Sequence, residues 1–258
     1  MRIDADQTNQ AHSFIFRDLG RLAYDAALAE QIATHERVLA FRDAAAHVTP
    51  IQSQNQNPAP SPPTPFGEIL FVEHDPVITV TRKSKDAGHV LATAEFLATQ
   101  GVSLHDTDRG GDVTYHGPGQ LVCYPIVDLN RLQLGLHAYM RALESAVIAT
   151  LAHWNVFATR DQSATGVWIP GPSGTASDGL KICALGVRLR EWVSMHGLAI
   201  NVAPNMAHFN LIVPCGLVGR PVTSMFNLLG FTGQPCPTMA DVKAALAIEL
   251  TRALTTKA

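Results

Sequence analysis

Between Arg109 and Gln120 the chain reads Arg-Gly-Gly-Asp-Val-Thr-Tyr-His-Gly-Pro-Gly-Gln, placing four glycines and a proline within twelve residues. Glycine loses backbone entropy inside a helix or strand and proline removes a donor, so this density predicts a loop rather than the interior of an element. A loop of this kind serves where backbone must come close to a ligand or to another segment. Arg109, Thr114, Tyr115, His116 and Gln120 equip it with cationic, hydroxyl, amide and imidazole groups. Two later signals accompany it: Lys181 within Leu-Lys-Ile-Cys-Ala-Leu-Gly, and Cys215 within Pro-Cys-Gly.

The chain has 258 residues, 47% hydrophobic and 16% charged, enough to build one substantial core, and a single domain is expected over 1–258. A net charge of −3 speaks against nucleic-acid binding, which needs an excess of Lys and Arg to neutralise phosphates. The first ten residues are polar and acidic where a signal peptide needs an apolar stretch, and no run of about eighteen apolar residues offers a membrane span. No membrane partner and a cytoplasmic location are therefore expected.

The four cysteines, Cys123, Cys183, Cys215 and Cys236, form no Cys-x-x-Cys and are joined by no paired histidines, so neither a zinc site nor any other metal centre is expected. Cys123 and Cys183 read as small buried hydrophobes. Proline before Cys215 and glycine after it place that residue on a turn, where a side chain is presented rather than packed.

Helical spacing of Leu22, Ala26, Ala29, Ala33 and Arg37 predicts a helix from Arg21 to about Phe41. A flexible Pro- and Gln-rich insertion follows at about 48–66, with six prolines among the sixteen residues from Pro50 to Pro65. The core motifs occupy 68–225. Glu68–Val80 reads as two strands broken at Asp75-Pro76, and Leu121–Leu129 as a buried strand. Leu136, Met140, Leu143, Val147, Leu151 and Trp154 mark the apolar face of a second helix. Val167–Ile169, Leu180–Leu189 and Val193–Val202 are successive strands, with a loop at Pro170–Gly179. Thr238 to Asp241 forms a capping-box pattern that opens a last helix, about 238–254. The sum is an α+β fold, a mixed sheet flanked by helices. On the predicted strand Lys181 shares a face with Cys183, Leu185, Val187 and Leu189. It is either a snorkelling end residue or a desolvated lysine able to act as a base.

The runs Arg109–Gln120, Gly179–Gly186, His196-Gly-Leu-Ala-Ile-Asn201 and Pro214-Cys-Gly216, in that order, resemble those of the lipoyl(octanoyl) transferases, and the resemblance runs from about Phe14 to Met225. It implies the fold of biotin and lipoate protein ligases and of class II aminoacyl-tRNA synthetase catalytic domains. It also implies transfer of an octanoyl group from octanoyl-acyl carrier protein to a lysine of lipoyl domains, those of 2-oxo acid dehydrogenase acyltransferase subunits and of the glycine cleavage H protein. Carried over by motif, Cys215 is the acyl-thioester nucleophile and Lys181 the residue that lowers its pKa. Arg109, Gly110, Gly111, Asp112, Val113, Thr114, Tyr115 and His116 line the acyl pocket, together with Ala184, Leu185, Gly186, Gly197, Leu198 and Ala199. No cofactor is implied, and a monomer is expected. The Pro-rich insertion and the loop Pro170–Gly179 depart from the family's compact pattern without interrupting a motif.

The chemistry agrees with those residue types. A thioester donor needs a soft nucleophile that returns a thioester of similar energy, which is cysteine. Deprotonating an acceptor lysine of ordinary pKa costs about 4–5 kcal/mol at neutral pH, so a general base is worth more in the second half-reaction than in the first. Three other functions compete. An ATP-dependent lipoate or biotin ligase needs an adenylate-binding cluster such as Gly-Arg-Gly-Arg, which the chain lacks. A cysteine hydrolase or amidotransferase pairs Cys215 with His116 or His196. A purely structural module explains the Pro-rich insertion but not three glycine-bearing motifs. Arg82, Lys83 and Lys85 are a candidate docking patch for an acidic carrier, or an ordinary solvated cluster.

Overall fold

The computed structural model describes residues 13–46, 64–81, 88–213 and 220–256. Most of the Pro-rich insertion, the Arg82, Lys83 and Lys85 group, and Cys215 with its flanking Pro214 and Gly216 lie outside the described residues.

The strands of the larger sheet, in chain order, are β1 (Phe14–Leu22), β2 (Gly67–His74), β6 (Gln120–Val127), β7 (Thr159–Arg160), β8 (Val167–Ile169), β9 (Leu180–Arg190) and β10 (Val193–Asn201). They assemble in the order β1-β2-β6-β10-β9-β8-β7. Within this sheet the β1–β2 pair is parallel and the other described pairs are antiparallel. A three-stranded sheet packs β3 (Val77–Val80) between β4 (Ser103–Asp106) and β5 (Thr114–His116).

The helices are α1 (Tyr24–Ala46), α2 (Ala94–Thr99), α3 (Leu129–Leu132), α4 (Leu136–Ala152), α5 (Met225–Thr232) and α6 (Met239–Thr255). Helices α4 and α6 cover one face of the large sheet, where Leu143, Val147 and Leu151 meet Leu246 and Leu250 over Leu121, Cys123, Ile182 and Leu198. Helix α1 covers the opposite face above Leu70, Val72, Tyr124 and Ala199. The mixed sheet flanked by helices is thus the α+β arrangement expected. Thr238 and Asp241 form the expected reciprocal cap of α6.

Three readings of the sequence need correction. The segment up to Leu22 is not helix: β1 ends there, its alternation hidden by Arg17, Asp18, Gly20 and Arg21 on an edge strand. The buried stripe of α1 is not Ala26, Ala29 and Ala33, which are exposed, but Ala27, Gln31, Thr34, His35 and Val38. Polar residues on that stripe are held by partners: Gln31 Oε1 accepts the His196 amide, Thr34 Oγ1 accepts from Arg37, and His35 Nε2 meets the Arg190 carbonyl, while Gln31 Nε2 is buried with no partner among the described residues. The glycine-rich run is not loop throughout, because Thr114–His116 pairs antiparallel with Val77–Thr79.

Candidate active site

The two strand motifs face each other across one ladder. Gly197 pairs with Gly186, Leu198 with Leu185 and Ala199 with Ala184, so the triplets predicted separately become three consecutive cross-strand pairs. Both glycines are required by close approach. A Cβ on Gly197 would sit 2.2 Å from the Cys123 carbonyl oxygen, and one on Gly186 would sit 2.5 Å from that of Gly110. The space at Gly186 lets the glycine-rich loop dock on β9, where the Gly110 amide donates to the Val187 carbonyl at 3.0 Å.

These segments line a cleft. Its wall includes Arg109, Gly111, Asp112, Thr114 and His116 from the glycine-rich run and the six residues of the two strand triplets. Val113 and Tyr115 turn the other way. Period-two alternation sends them into the small-sheet core, where the Tyr115 ring meets that of Phe209 with centroids 5.3 Å apart. Gly110 contributes main chain only, through Val187. Tyr24, Val122, Tyr124 and His196 complete the wall. Of these, Tyr24, Val122 and Tyr124 were missed by sequence reasoning. Alternation on β6 could have found Val122 and Tyr124, since Cys123 between them faces the opposite core, whereas no local pattern marks Tyr24.

The polar groups of the wall are held by the protein. The Arg109 guanidinium donates to the Thr79 hydroxyl and to the Gly110 carbonyl, both at 3.0 Å. The Tyr24 hydroxyl donates to Thr107 Oγ1 at 2.9 Å, and that of Tyr124 donates to His74 Nε2 at 2.7 Å, while His74 Nδ1 donates to the Leu22 carbonyl. Burial lowers the pKa of His116 to about 3 and those of His74 and His196 to about 4, with Arg109 lowering His116 and His196 further. The neutral imidazoles of His116 and His196 and the bonded hydroxyls of Tyr24 and Tyr124 therefore face the cleft at physiological pH beside Val122, Ala184, Leu185, Leu198 and Ala199, an environment for a largely apolar ligand.

A buried hydrogen-bonded chain leads from this wall to Lys181. His116 Nδ1 meets Gln120 Oε1 at 2.6 Å, and Gln120 Nε2 donates to the Tyr115 carbonyl and, at 2.9 Å, to Asn201 Oδ1. Because the amide nitrogen of Gln120 has two acceptors, its oxygen accepts from His116, which carries its proton on Nδ1. Asn201 Nδ2 then donates to the Thr223 carbonyl, and the Thr223 amide donates to the Lys181 carbonyl, each at 2.9 Å.

Lys181 is buried, but not on the row predicted for it. A register shift sets Cys183 opposite Val167, in the core under α4, and Lys181 opposite Trp168. Val167 and Trp168 point to opposite faces, so the bulge turns Lys181 away from the Cys183 row. Its ammonium lies 4.9 Å from the Trp168 ring centroid, at cation–π distance. Gly166 makes the room, since a Cβ there would lie 2.5 Å from Lys181 Cε.

Cys215 itself is outside the described residues, but the segments on either side of it are anchored. Before it, the Val213 amide donates to the His89 carbonyl, and His89 Nδ1 pairs at 2.9 Å with Asp112 of the cleft wall. After it, the Pro221 carbonyl accepts the Lys181 amide. Among the described cysteines, burial pushes the Cys183 thiol up to about 12, that of Cys123 well above its usual range, and that of Cys236 upward. None of these three is poised as a thiolate. No described group of three or more His, Cys, Asp or Glu residues is placed to hold a metal ion, and no described helix is long and apolar enough to cross a membrane.

Comparison with known proteins gives a consistent result. Residues 27–251 match the lipoyl protein ligase A/B catalytic domain. An octanoyltransferase of Bacteroides fragilis is 47% identical over 189 residues, covering 73% of this chain and 82% of the relative. An octanoyltransferase of Parabacteroides distasonis is 41% identical over 219 residues, covering 84% and 90% respectively. Among solved structures, a lipoate-protein ligase A bound with ATP superposes with a TM-score of 0.59 at 13% identity, covering 93% of this chain and 84% of its own. A bipartite lipoate protein ligase of Thermoplasma acidophilum, studied with its E2 lipoyl domain, gives 0.57 at 14% identity over 93% and 82%. At such identities the structural likeness speaks for the fold alone.

Proposed function

We propose that this chain, which belongs to the lipoyl protein ligase A/B catalytic family and is an octanoyltransferase of protein lipoylation, carries the octanoyl group as a thioester on Cys215 within a single catalytic domain. The donor is octanoyl-acyl carrier protein. The acceptor is a lysine of a lipoyl domain, such as those of 2-oxo acid dehydrogenase acyltransferase subunits or the glycine cleavage H protein.

The observation that carries this reading is the cleft. Its wall is drawn from the glycine-rich run and the two strand triplets, its histidines are neutral and its two tyrosine hydroxyls are bonded within the protein, which suits an acyl chain esterified to sulfur. In the first half-reaction Cys215 gives its proton to Lys181 and attacks the thioester carbonyl as a thiolate. A tetrahedral intermediate forms, and the carrier thiolate leaves with that proton, so that Lys181 is again a neutral amine. In the second the acceptor amine attacks the Cys215 thioester, gives up its proton and expels the Cys215 thiolate. Lys181 receives that proton, and is the one lysine in the motifs. Support for its role comes from its burial and from the main-chain bonds that tie it to Pro221 and Thr223, a few residues beyond Cys215.

Intact-mass measurement after incubation with octanoyl-acyl carrier protein tests the intermediate. One added octanoyl group is expected on the wild type and none on Cys215→Ala. Acylation that survives the substitution and maps to Cys183 or Cys123 would falsify it.

A further inference from the structure

A second concavity, an open groove, lies between α1 and the β9–β10 strands. His196 lines both this groove and the acyl cleft, so the two spaces meet at one residue. His196 holds a left-handed backbone with φ of 59° in mid-strand, a conformation that a non-glycine residue keeps only when its surroundings fix it. Here they do: its amide donates to Gln31 Oε1 at 2.8 Å and its Nε2 meets Asp108 Oδ1 at 2.9 Å.

The groove continues along one face of β9. Ala184 and Gly186 line the cleft, while Arg188 and Arg190, next in the same alternation, line the groove. From Gly186 to Arg190 the strand runs about 14 Å. Leu28, Ile32 and Met195 supply apolar wall, and Ile32 is exposed. Asp108 pairs with Arg188 and with His196 at the cleft end. Among the described residues the Arg190 side chain, farther out, makes a 3.8 Å approach to Glu191 as its one ion pair. The carboxylates of Asp106 and Asp108 keep the wall from being a general anion trap, so an anion is disfavoured near His196 and met at Arg190.

We infer that this groove receives the arm of the acyl donor, an extended amide-linked chain that carries the thioester at its inner end and a phosphodiester at its outer end, with Arg190 taking the phosphate. The inference rests on the octanoyl-transfer reading above. The mixed wall suits an arm of alternating amide and methylene groups, and the charge order sets its direction, thioester toward His196 and phosphate toward Arg190.

Single-turnover acylation with two donors tests it: octanoyl on the phosphopantetheine arm of a carrier protein, and octanoyl-N-acetylcysteamine, which keeps the thioester and one amide but has no phosphate. Arg190→Ala is expected to raise the half-saturating concentration of the full donor about fivefold to tenfold relative to the short one. Ile32→Glu, which sets a carboxylate beside the arm at an exposed position, is expected to raise that ratio further. A ratio unchanged in both variants overturns the assignment. A wild-type protein acylated by neither donor would instead sink the octanoyl-transfer reading, and this inference with it.

Discussion

Gln120 Nε2 donates to Asn201 Oδ1 at 2.9 Å, and this one bond joins two motifs that stand 81 residues apart in the chain. Both side chains are buried, and each also acts elsewhere. Gln120 fixes the His116 tautomer, and Asn201 holds the Thr223 carbonyl beside Lys181. Replacing Gln120 by leucine leaves His116 Nδ1, the Tyr115 carbonyl and Asn201 Oδ1 without that partner. Each buried orphan costs on the order of 1–3 kcal/mol before relaxation. Gln120→Leu is therefore expected to lose about 2–4 kcal/mol in urea unfolding and to slow acyl transfer. Stability within 0.5 kcal/mol of the wild type, roughly the range of an ordinary surface substitution, would show that water or a rearranged amide replaces the chain.

The glycine-rich run makes a prediction of a different kind. Gly111 is exposed, lines the cleft and has a φ of 92°, a region that a β-branched residue enters only with strain of about 1–3 kcal/mol. Because the strain falls on the loop rather than on the core, Gly111→Val should keep the far-ultraviolet circular dichroism of the wild type while the half-saturating donor concentration rises about tenfold. Normal donor kinetics in that variant would mean that the loop only supports the fold.

Much of this architecture is legible in the sequence, for identifiable reasons. Strands β8, β9 and β10 and helices α4 and α6 are announced by apolar periodicity and a capping box, and the strand triplets by their glycines. What escaped reading depends on distant partners. The polar stripe of α1 looks solvent-facing until Gln31 is seen bonded to His196, 165 residues away. The bulge that turns Lys181 toward Trp168 is a property of pairing between β8 and β9, not of either strand alone. Tyr24 reaches the cleft from the first residue of α1, where nothing in the local pattern singles it out.

Three buried histidines set the acid limit of stability. The folded pKa of His116 is lowered to about 3 and those of His74 and His196 to about 4, chiefly by burial, against about 6.5 in an unfolded chain. Below pH 6.5 the unfolded state binds protons that the folded state refuses, so stability falls as pH drops toward 4; above 6.5 these groups contribute no slope. Each histidine adds a loss of about 1.4 kcal/mol per pH unit inside that window. The thermal midpoint should be flat from pH 7 to 8 and fall steeply below about pH 6. A midpoint still level at pH 5 would show that at least one of these imidazoles is protonated in the folded protein.

Lys181 can serve either half-reaction, and its surroundings allow the two roles to be separated. It is held by main-chain bonds to Pro221 and Thr223 and packs beside Trp168, with Gly166 leaving just enough room for its stem. If it acts chiefly as general base toward the acceptor amine, Lys181→Ala should still form acyl-enzyme, most readily at raised pH where Cys215 ionises unaided. Transfer from that acyl-enzyme to a lipoyl domain should then fall by a factor on the order of 10² to 10⁴, the usual loss for a missing general base. Arginine should not rescue transfer, because guanidinium keeps its proton at these pH values and its planar fork is bulkier than the space beside Gly166. Single-turnover rates of the two halves, measured separately, decide between the roles. Equal losses in both would assign Lys181 to the Cys215 thiol throughout, and recovery of transfer in Lys181→Arg would show that positive charge alone is required.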